Sequence, residues 1–365
     1  MSRPVRATIH LDALRHNLAV ARRCAPDARL MAVLKANAYG HGLLPVAHEL
    51  ADGADAFAVS CLEEALPLRA AGLCKRIVLL EGFFEAAELP VVAARRLDAV
   101  IHQPWQIEAL ATADVAMPIN CWIKVDTGMG RLGFPPEAAG AVLDRLRQLP
   151  AVGEIHWMTH LASADEPDNP HTGAQLAQFG RLAAEASVEA DRPPASAANS
   201  AATLYWPDAH VNWVRPGIML YGASPFAQAS VHPALQPAMT LSAQLIAVKT
   251  LPRGHGVGYG SRFVCPETMP VGVVSIGYGD GYPRHAPDGT PVVINGVRVP
   301  LIGRVSMDMI TVDLRAVPGA RVGDRAILWG DNPTAGEVAQ YCETISYELF
   351  CRLTPRVPRA YQRSR

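Results

Sequence analysis

Between Leu30 and Val214 short apolar runs alternate with amphipathic ones. The apolar runs are Leu30–Leu34, Ala56–Val59, Ile77–Leu80, Asp98–Ile101, Ile119–Val125, Glu154–Thr159, Ala195–Ala198 and Asn212–Val214. Among them lie Leu43–Leu50, Leu62–Ala71, Glu85–Arg95, Trp105–Ala113, Pro136–Leu149 and Gly173–Ala186, with apolar residues at helical spacing. Most strand candidates are continuous apolar runs, the pattern of parallel strands covered by helices. Eight strand–helix units predict a (β/α)8 barrel of the TIM type, in the α/β class. A doubly wound open sheet fits the same periodicity, which carries no sign of closure. An earlier helix, Asp12–Arg23, is predicted from Leu11, Leu14, Leu18 and Ala21, with Asp12 as its cap.

The texture changes around Pro225, Pro233 and Pro237, where helical periodicity nearly vanishes. Short strands are predicted at Thr240–Thr250, Val271–Ile276, Pro291–Ile294, Val297–Leu301, Ile310–Leu314 and Arg325–Trp329, and Asn295-Gly296 is a strong hairpin signal. A length of 365 residues suits two domains. The expected division is a barrel over 11–232 and a mainly-β domain over 233–365. A strand at 5–10, centred on Arg6–His10, is assigned to the β domain.

Charge is balanced, with 33 basic against 34 acidic residues, which points away from nucleic acid and anionic membranes as partners. No apolar run is long enough to span a bilayer. The seven cysteines form no C-x-x-C pair and read as reduced thiols of a cytosolic protein. Met1–Leu14 carries Arg3, Arg6, His10 and Asp12 without an apolar core, so no signal peptide is expected and the expected location is cytoplasmic. His41, His48, His156, His160 and His171 fall on different elements, and no metal site is expected.

Enzymes on (β/α)8 barrels work at the C-terminal ends of the strands. Lys35 and Tyr39 follow the first predicted strand, Lys124, Asp126, Thr127 and Arg131 the fifth, and Thr159 and His160 the sixth. Asn199 and Ser200 follow the seventh, and Arg215 and Gly217 the eighth. On a closed barrel all of these ring one mouth. Lys35 sits where desolvation lowers an amine pKa and favours a nucleophile. Taken alone, it reads first as a lysine that snorkels out of a strand end. Asn199-Ser200 reads as a helix cap or as part of a phosphate site. Arg215 and Arg131 have ordinary readings as ion-pair residues, and His160 as a satisfied core histidine. A lysine nucleophile with phosphate loops on one mouth points to pyridoxal 5′-phosphate (PLP), with Arg215 on the rim as partner for its pyridine nitrogen.

These blocks resemble the alanine racemase family, PLP enzymes of fold-type III, over the whole chain. Val33–Gly42 is similar to the family's PLP-lysine signature, and Lys124–Gly133 (KVDTGMGRLG) to its second block. His160, Asn199-Ser200 and Val214–Gly222 (VRPGIMLYG) follow, then Gly256–Ser261, Ile276–Pro283, Gly303–Met309 and Thr344–Tyr347. The resemblance implies that Lys35 carries the cofactor, and that Tyr39, Ser200, Gly217, Ile218 and Tyr347, beside Asn199, hold its phosphate. It implies that Arg215 faces the pyridine nitrogen with His160 behind it, that Arg131 meets the cofactor's phenolic oxygen, and that Lys124, often carbamylated in the family, orients Arg131. Arg215 keeps its proton, so a nitrogen facing it stays unprotonated.

The resemblance also implies a second base, Tyr259, supplied by the partner subunit of a head-to-tail homodimer. Met307 and Asp308 would contact the substrate carboxylate, and Tyr278 would narrow the entrance. Lys35 would serve one face of the α-carbon and Tyr259 the other. A tyrosine base, ordinarily near pKa 10, calls for a cationic neighbourhood. The implied activity is the interconversion of L- and D-alanine (EC 5.1.1.1), for peptidoglycan or for D-alanine degradation. A serine or broad-specificity racemase is the nearest alternative. A non-catalytic PLP-homeostasis barrel lacks the β domain, and decarboxylases of this fold face the pyridine nitrogen with a carboxylate, where this chain has Arg215.

Overall fold

The computed structural model describes residues 3–185, 193–226 and 234–363. β1 (Arg6–His10) leads into a helix at Leu11–Cys24. Eight parallel strands follow: β2 (Arg29–Val33), β3 (Ala56–Val59), β4 (Arg76–Leu79), β5 (Asp98–Ile101), β6 (Ile119–Lys124), β7 (Val152–Met158), β8 (Ala195–Ser196) and β9 (Trp213–Val214). β9 pairs back onto β2, closing the barrel and excluding the open sheet. The continuous apolar runs have the expected cause: β3 and β5 are buried at every residue, since the barrel interior covers one side and helices the other. Strand ends differ from the sequence reading by one or two residues.

One detail is corrected. The first helix has His10, not Asp12, at its N-cap position. Asp12 lies in the first turn, where its charge meets the positive end of the helix dipole. The expected boundary at 232–233 lies outside the described residues, as do Pro233 and Ala186.

The second domain holds β10 (Met239–Leu251), a small ribbon of β11 (Gly256–Val257) and β12 (Phe263–Val264), then β13 (Met269–Val274), β14 (Pro291–Ile294), β15 (Val297–Ile302), β16 (Ile310–Asp313), β17 (Arg325–Trp329) and β18 (Arg359–Gln362). Its large sheet runs β13-β16-β15-β14-β17-β10-β1-β18. β1 is antiparallel to β10 and parallel to β18, so the N-terminal strand belongs to this sheet. Asn295 and Gly296 both have positive φ, +50° and +81°, as a two-residue type I′ hairpin requires. Two short helices, Ala335–Tyr341 and Ser346–Cys351, interrupt the β pattern, and the second returns to the barrel mouth. No helix among the described residues is long and apolar enough to cross a membrane.

Toward the N-terminal end of the barrel, Arg76 lies 3.3 Å from the buried Asp98 carboxylate, which also accepts from Trp122 Nε1 at 2.9 Å. Burial pushes Asp98 above the usual carboxylate range despite Arg76 and these bonds. His156 stacks on Trp122 with centroids 4.2 Å apart, and burial pushes it down to about 4.

Candidate active site

The backbone turns sharply where β2 ends. Lys35–Tyr39 forms one turn of helix, but Ala36, Asn37, Ala38 and Tyr39 are left-handed, with φ of +53°, +56°, +54° and +50°. None is glycine, and such residues cost about 1–2 kcal/mol each in this conformation. Hydrogen bonds offset that cost. Ala36 N donates to Glu64 Oε1 at 2.7 Å, Leu43 N to Asn37 Oδ1 at 2.8 Å, and Gly42 N to Asn37 O at 2.9 Å. A Cβ on Gly40 would lie 2.1 Å from the Phe350 carbonyl oxygen, so glycine permits the helix Ser346–Cys351 to dock here. That helix delivers Tyr347, whose ring centroid is 5.9 Å from that of Tyr39. Tyr221 stacks on the same Tyr39 ring at 4.7 Å.

The loops after β8 and β9 meet this turn. Asn199 caps the helix Ser200–Tyr205 through Ala202 N, and its amide nitrogen donates to Leu161 O. Both ends of the Asn199 amide are thus used within the fold. Ser200 Oγ accepts from Gly217 N at 2.8 Å and Met219 N at 3.4 Å. A Cβ on Gly217 would lie 2.7 Å from Tyr39 Oη, so a side chain there would fill the space beside that hydroxyl. Ile218 begins the 3-10 turn Ile218–Tyr221. Burial pushes the Tyr39 and Tyr347 phenols up and keeps them protonated. Three hydroxyls and the neighbouring amides form a donor-rich cradle suited to an anionic oxygen ligand.

Cations converge across the mouth. Arg215 is 4% exposed. Its Nη1 donates to Ser196 Oγ, and its Nη2 to Thr159 O at 2.7 Å and Ala197 O at 3.2 Å. Nη2 also lies 3.4 Å from His160 Nδ1. Burial pushes Arg215 down to about 10, which leaves it charged at neutral pH. Burial, then the charges of Lys124, Arg215, Arg131 and Lys35, push His160 well below its ordinary value. Burial and the neighbouring Arg215 and Arg131 do the same to Lys124. Asp126 is the counter-charge. Desolvation opposes its ionisation, but the amides of Gly128, Gly130 and Met129 bind its Oδ1 and hold it below the usual range. Thr159 Oγ1 bonds Thr127 Oγ1 at 2.8 Å, and Gln175 Nε2 reaches both Thr127 Oγ1 and His160 O, which fixes the β6 and β7 loops together.

The β-domain candidates stand apart. Tyr259 lies on the turn Tyr259–Ser261 and is 70% exposed. Met307 is 52% exposed and Tyr278 37%. The Asp308 carboxylate is bound by Arg356, which is also 3.4 Å from the buried Asp280. No described bond joins Tyr259, Tyr278, Met307 or Asp308 to Lys35. Glu64 and Gln175 were not picked out from sequence. Ser60 and Glu64 do follow β3, as other mouth residues follow their strands; nothing local marks Gln175.

Comparison with known proteins covers the whole chain. The models for the alanine racemase N-terminal and C-terminal domains match residues 9–225 and 238–361. An alanine racemase of Halorhodospira halophila is 55% identical over 361 residues, 98% of each chain. The biosynthetic alanine racemase of Pseudomonas aeruginosa is 50% identical over 360 residues, 98% of this chain and 99% of its own. A crystal structure of the biosynthetic alanine racemase from that species superposes with a TM-score of 0.94, at 49% identity and 99% coverage of both chains. The structure of the alanine racemase of Acinetobacter baumannii gives 0.90 at 39% identity, covering 99% of this chain and 100% of that one.

Proposed function

The chain belongs to the alanine racemase family and interconverts L- and D-alanine (EC 5.1.1.1), and we propose that it does so with PLP bound at the barrel mouth and two bases on opposite faces of the substrate. The observation that carries the cofactor reading is the convergence of Lys35, Lys124, Arg131 and Arg215 on His160, beside the donor cradle of Tyr39, Ser200 and Tyr347. That donor set fits a phosphate dianion, and glycine at 217 lets Tyr39 Oη close on the loop after β9, where a Cβ would lie 2.7 Å from it. Lys35 would hold the cofactor through its ε-amine. Tyr39, Tyr347, Ser200 and the amide of Ile218 would hold its phosphate, joined by the Gly217 amide once it turns from Ser200 Oγ, to which it donates at 2.8 Å. Asn199 would act as the cap that positions Ser200. Once bound, the cofactor supplies an electron sink that makes the substrate Cα–H acidic.

The residues do the rest. Lys35 Nζ takes or returns the α-proton on one face, and Tyr259 Oη of a partner subunit does so on the other. The high exposure of Tyr259 and Met307 supports their completing a neighbour's site. Asp308 is engaged by Arg356, so its part is to hold the loop, with the substrate carboxylate left to Arg131 and the Met307 segment. Tyr278 lines the approach. Arg215, charged and fixed by three oxygen acceptors, keeps a pyridine nitrogen opposite it unprotonated. Lys124, with its amine pushed toward the neutral form, is placed to add CO2 and become a carbamate, giving Arg131 an anionic partner. The name of the Pseudomonas aeruginosa relative, a biosynthetic enzyme, supports a role in D-alanine supply for peptidoglycan.

Incubating the purified protein with PLP and a panel of L-amino acids, with chiral chromatography of the products, tests this. D-alanine as main product is expected. Equal turnover of serine or larger residues would move the assignment to a broad-specificity racemase, and no turnover would overturn it.

A further inference from the structure

We propose that Glu64 is the positioning residue for Lys35: its carboxylate pins the left-handed turn that follows the lysine and so fixes where the ε-amine points. The inference rests on the reading of Lys35 as the cofactor-bearing amine. Glu64 lies in the first turn of the helix Leu62–Ala70, after β3. Its Oε2 accepts from Ser60 N at 2.8 Å, one residue before the helix's N-cap Cys61. Its Oε1 accepts from Ala36 N at 2.7 Å, and no helix start requires that. Ala36 directly follows Lys35 and is the first of the four left-handed residues. Both carboxylate oxygens are therefore engaged in charge-assisted bonds that tie the end of β2 to the end of β3.

The tie continues round the rim. Ser60 Oγ donates to Glu81 Oε1 at 2.8 Å, and Glu81 O lies 3.1 Å from His102 Nε2. Segments that follow β2, β3, β4 and β5 are thus fastened in series. Cys351 lies within reach of both charges: burial pushes its thiol up, Lys35 pulls it down and Glu64 pushes it up again. Freed from Glu64, the exposed Ala36 N–H would turn to water and the left-handed backbone would lose a bond that offsets its strain. Tyr39 ends that same turn, so the phosphate hydroxyl and the amine would shift together.

The test compares wild-type holoenzyme with Glu64→Gln, Glu64→Ala and Glu64→Asp. The Gln variant keeps the size but turns an NH2 group toward one of the two donors. Expected for Gln and Ala are amide exchange over residues 34–39 faster by about tenfold or more, and kcat lower by roughly 10- to 100-fold with KM for alanine changed less than about threefold. The pH titration of the holoenzyme's visible absorption should also shift, and Asp should recover part of each effect. Exchange, titration and kcat all within about twofold of wild type in Glu64→Gln would overturn the proposal, even with a lowered melting temperature. Wild-type protein that takes up no PLP would overturn the cofactor reading instead, and the exchange rates alone would then decide whether Glu64 holds the turn.

Discussion

Nη2 of Arg215 lies 3.4 Å from Nδ1 of His160 while donating to the carbonyl oxygens of Thr159 and Ala197. His160 is held neutral, so its Nδ1 accepts and its proton sits on Nε2. The guanidinium fork thus serves four acceptors that a lysine cannot reach together. Arg215→Lys should lower kcat/KM by about 10²-fold, measured by coupled racemisation assay. Arg215→Glu would aim a carboxylate at those carbonyls, and calorimetry should show a loss of about 3–5 kcal/mol of stability. A Lys variant with wild-type kcat/KM would remove Arg215 from the site.

The two-base reading makes a sharper claim than loss of activity. The racemisation equilibrium constant is one, so any variant must lose kcat/KM equally in both directions. The asymmetry should appear in exchange of the α-proton with solvent. Tyr259→Phe should lower racemisation by roughly 10²–10⁴-fold, while deuterium from D2O still enters the enantiomer whose proton faces Lys35. Lys35→Ala should lose cofactor retention as well. Equal wash-in for both enantiomers in Tyr259→Phe would sink the assignment.

If Tyr259 acts in the neighbouring subunit, two dead variants should repair each other. A mixed dimer of Lys35→Ala and Tyr259→Ala chains has one site with both bases and one with neither. After dissociation and random re-association in equal amounts, activity should rise to roughly a quarter of wild type. Analytical ultracentrifugation would check that dimers form. Mixed dimers without activity would place both bases in one chain.

The barrel was legible because parallel strands are covered on both sides and read as continuous apolar runs, as in Ala56–Val59 and Asp98–Ile101. Strand ends were less so, since the residue where pairing stops has no chemical mark. The mouth could be assembled from Lys35, Lys124, His160, Ser200 and Arg215 once strands were counted. The turn after Lys35 could not. Ala-Asn-Ala-Tyr looks like an ordinary helix, and its left-handedness is imposed by Glu64, Asn37 and the docking of Phe350 on Gly40. Tyr259 is a tyrosine in a glycine-rich loop with no periodic signal, and its proposed role rests on resemblance alone. The helix Ser346–Cys351 is too short for periodicity to reveal, yet it carries Tyr347 to the barrel.

Lys124 yields a prediction about CO2. Its amine is pushed well below the ordinary lysine value by burial and by Arg215 and Arg131, which favours the neutral form that attacks CO2. The product is a carbamate and a released proton. Native mass spectrometry in bicarbonate should show one added CO2 per chain, lost in Lys124→Met and lost on acidification. Activity of the wild type should fall when CO2 is stripped from the buffer and return when it is restored. An unmodified mass in bicarbonate would leave Lys124 as a neutral amine beside Arg131.

Stability should also depend on two buried histidines. Burial pushes His41 and His156 down to about 4, from an unfolded value near 6.5. His41 is fully buried, with Nδ1 2.7 Å from Tyr39 O. His156 stacks on Trp122, with Nε2 3.2 Å from both Arg76 Nη1 and Glu154 Oε2. Between about pH 6.5 and pH 4 the unfolded chain protonates both rings while the folded chain keeps them neutral. Protons bound only by the unfolded state reduce stability, so stability is full above 6.5 and falls as pH drops through that window. Asp98, raised by burial, acts in the opposite sense from its unfolded value near 3.8 upward, so the histidine effect is read as the difference between wild type and a variant that keeps Asp98. His156→Phe keeps a ring on Trp122 and removes one titrating group. Its melting temperature should fall less than that of wild type between pH 7 and pH 4.5, the difference corresponding to on the order of 1–2 kcal/mol. Parallel melting curves across that range would mean that His156 is already protonated in the fold and paired with Glu154.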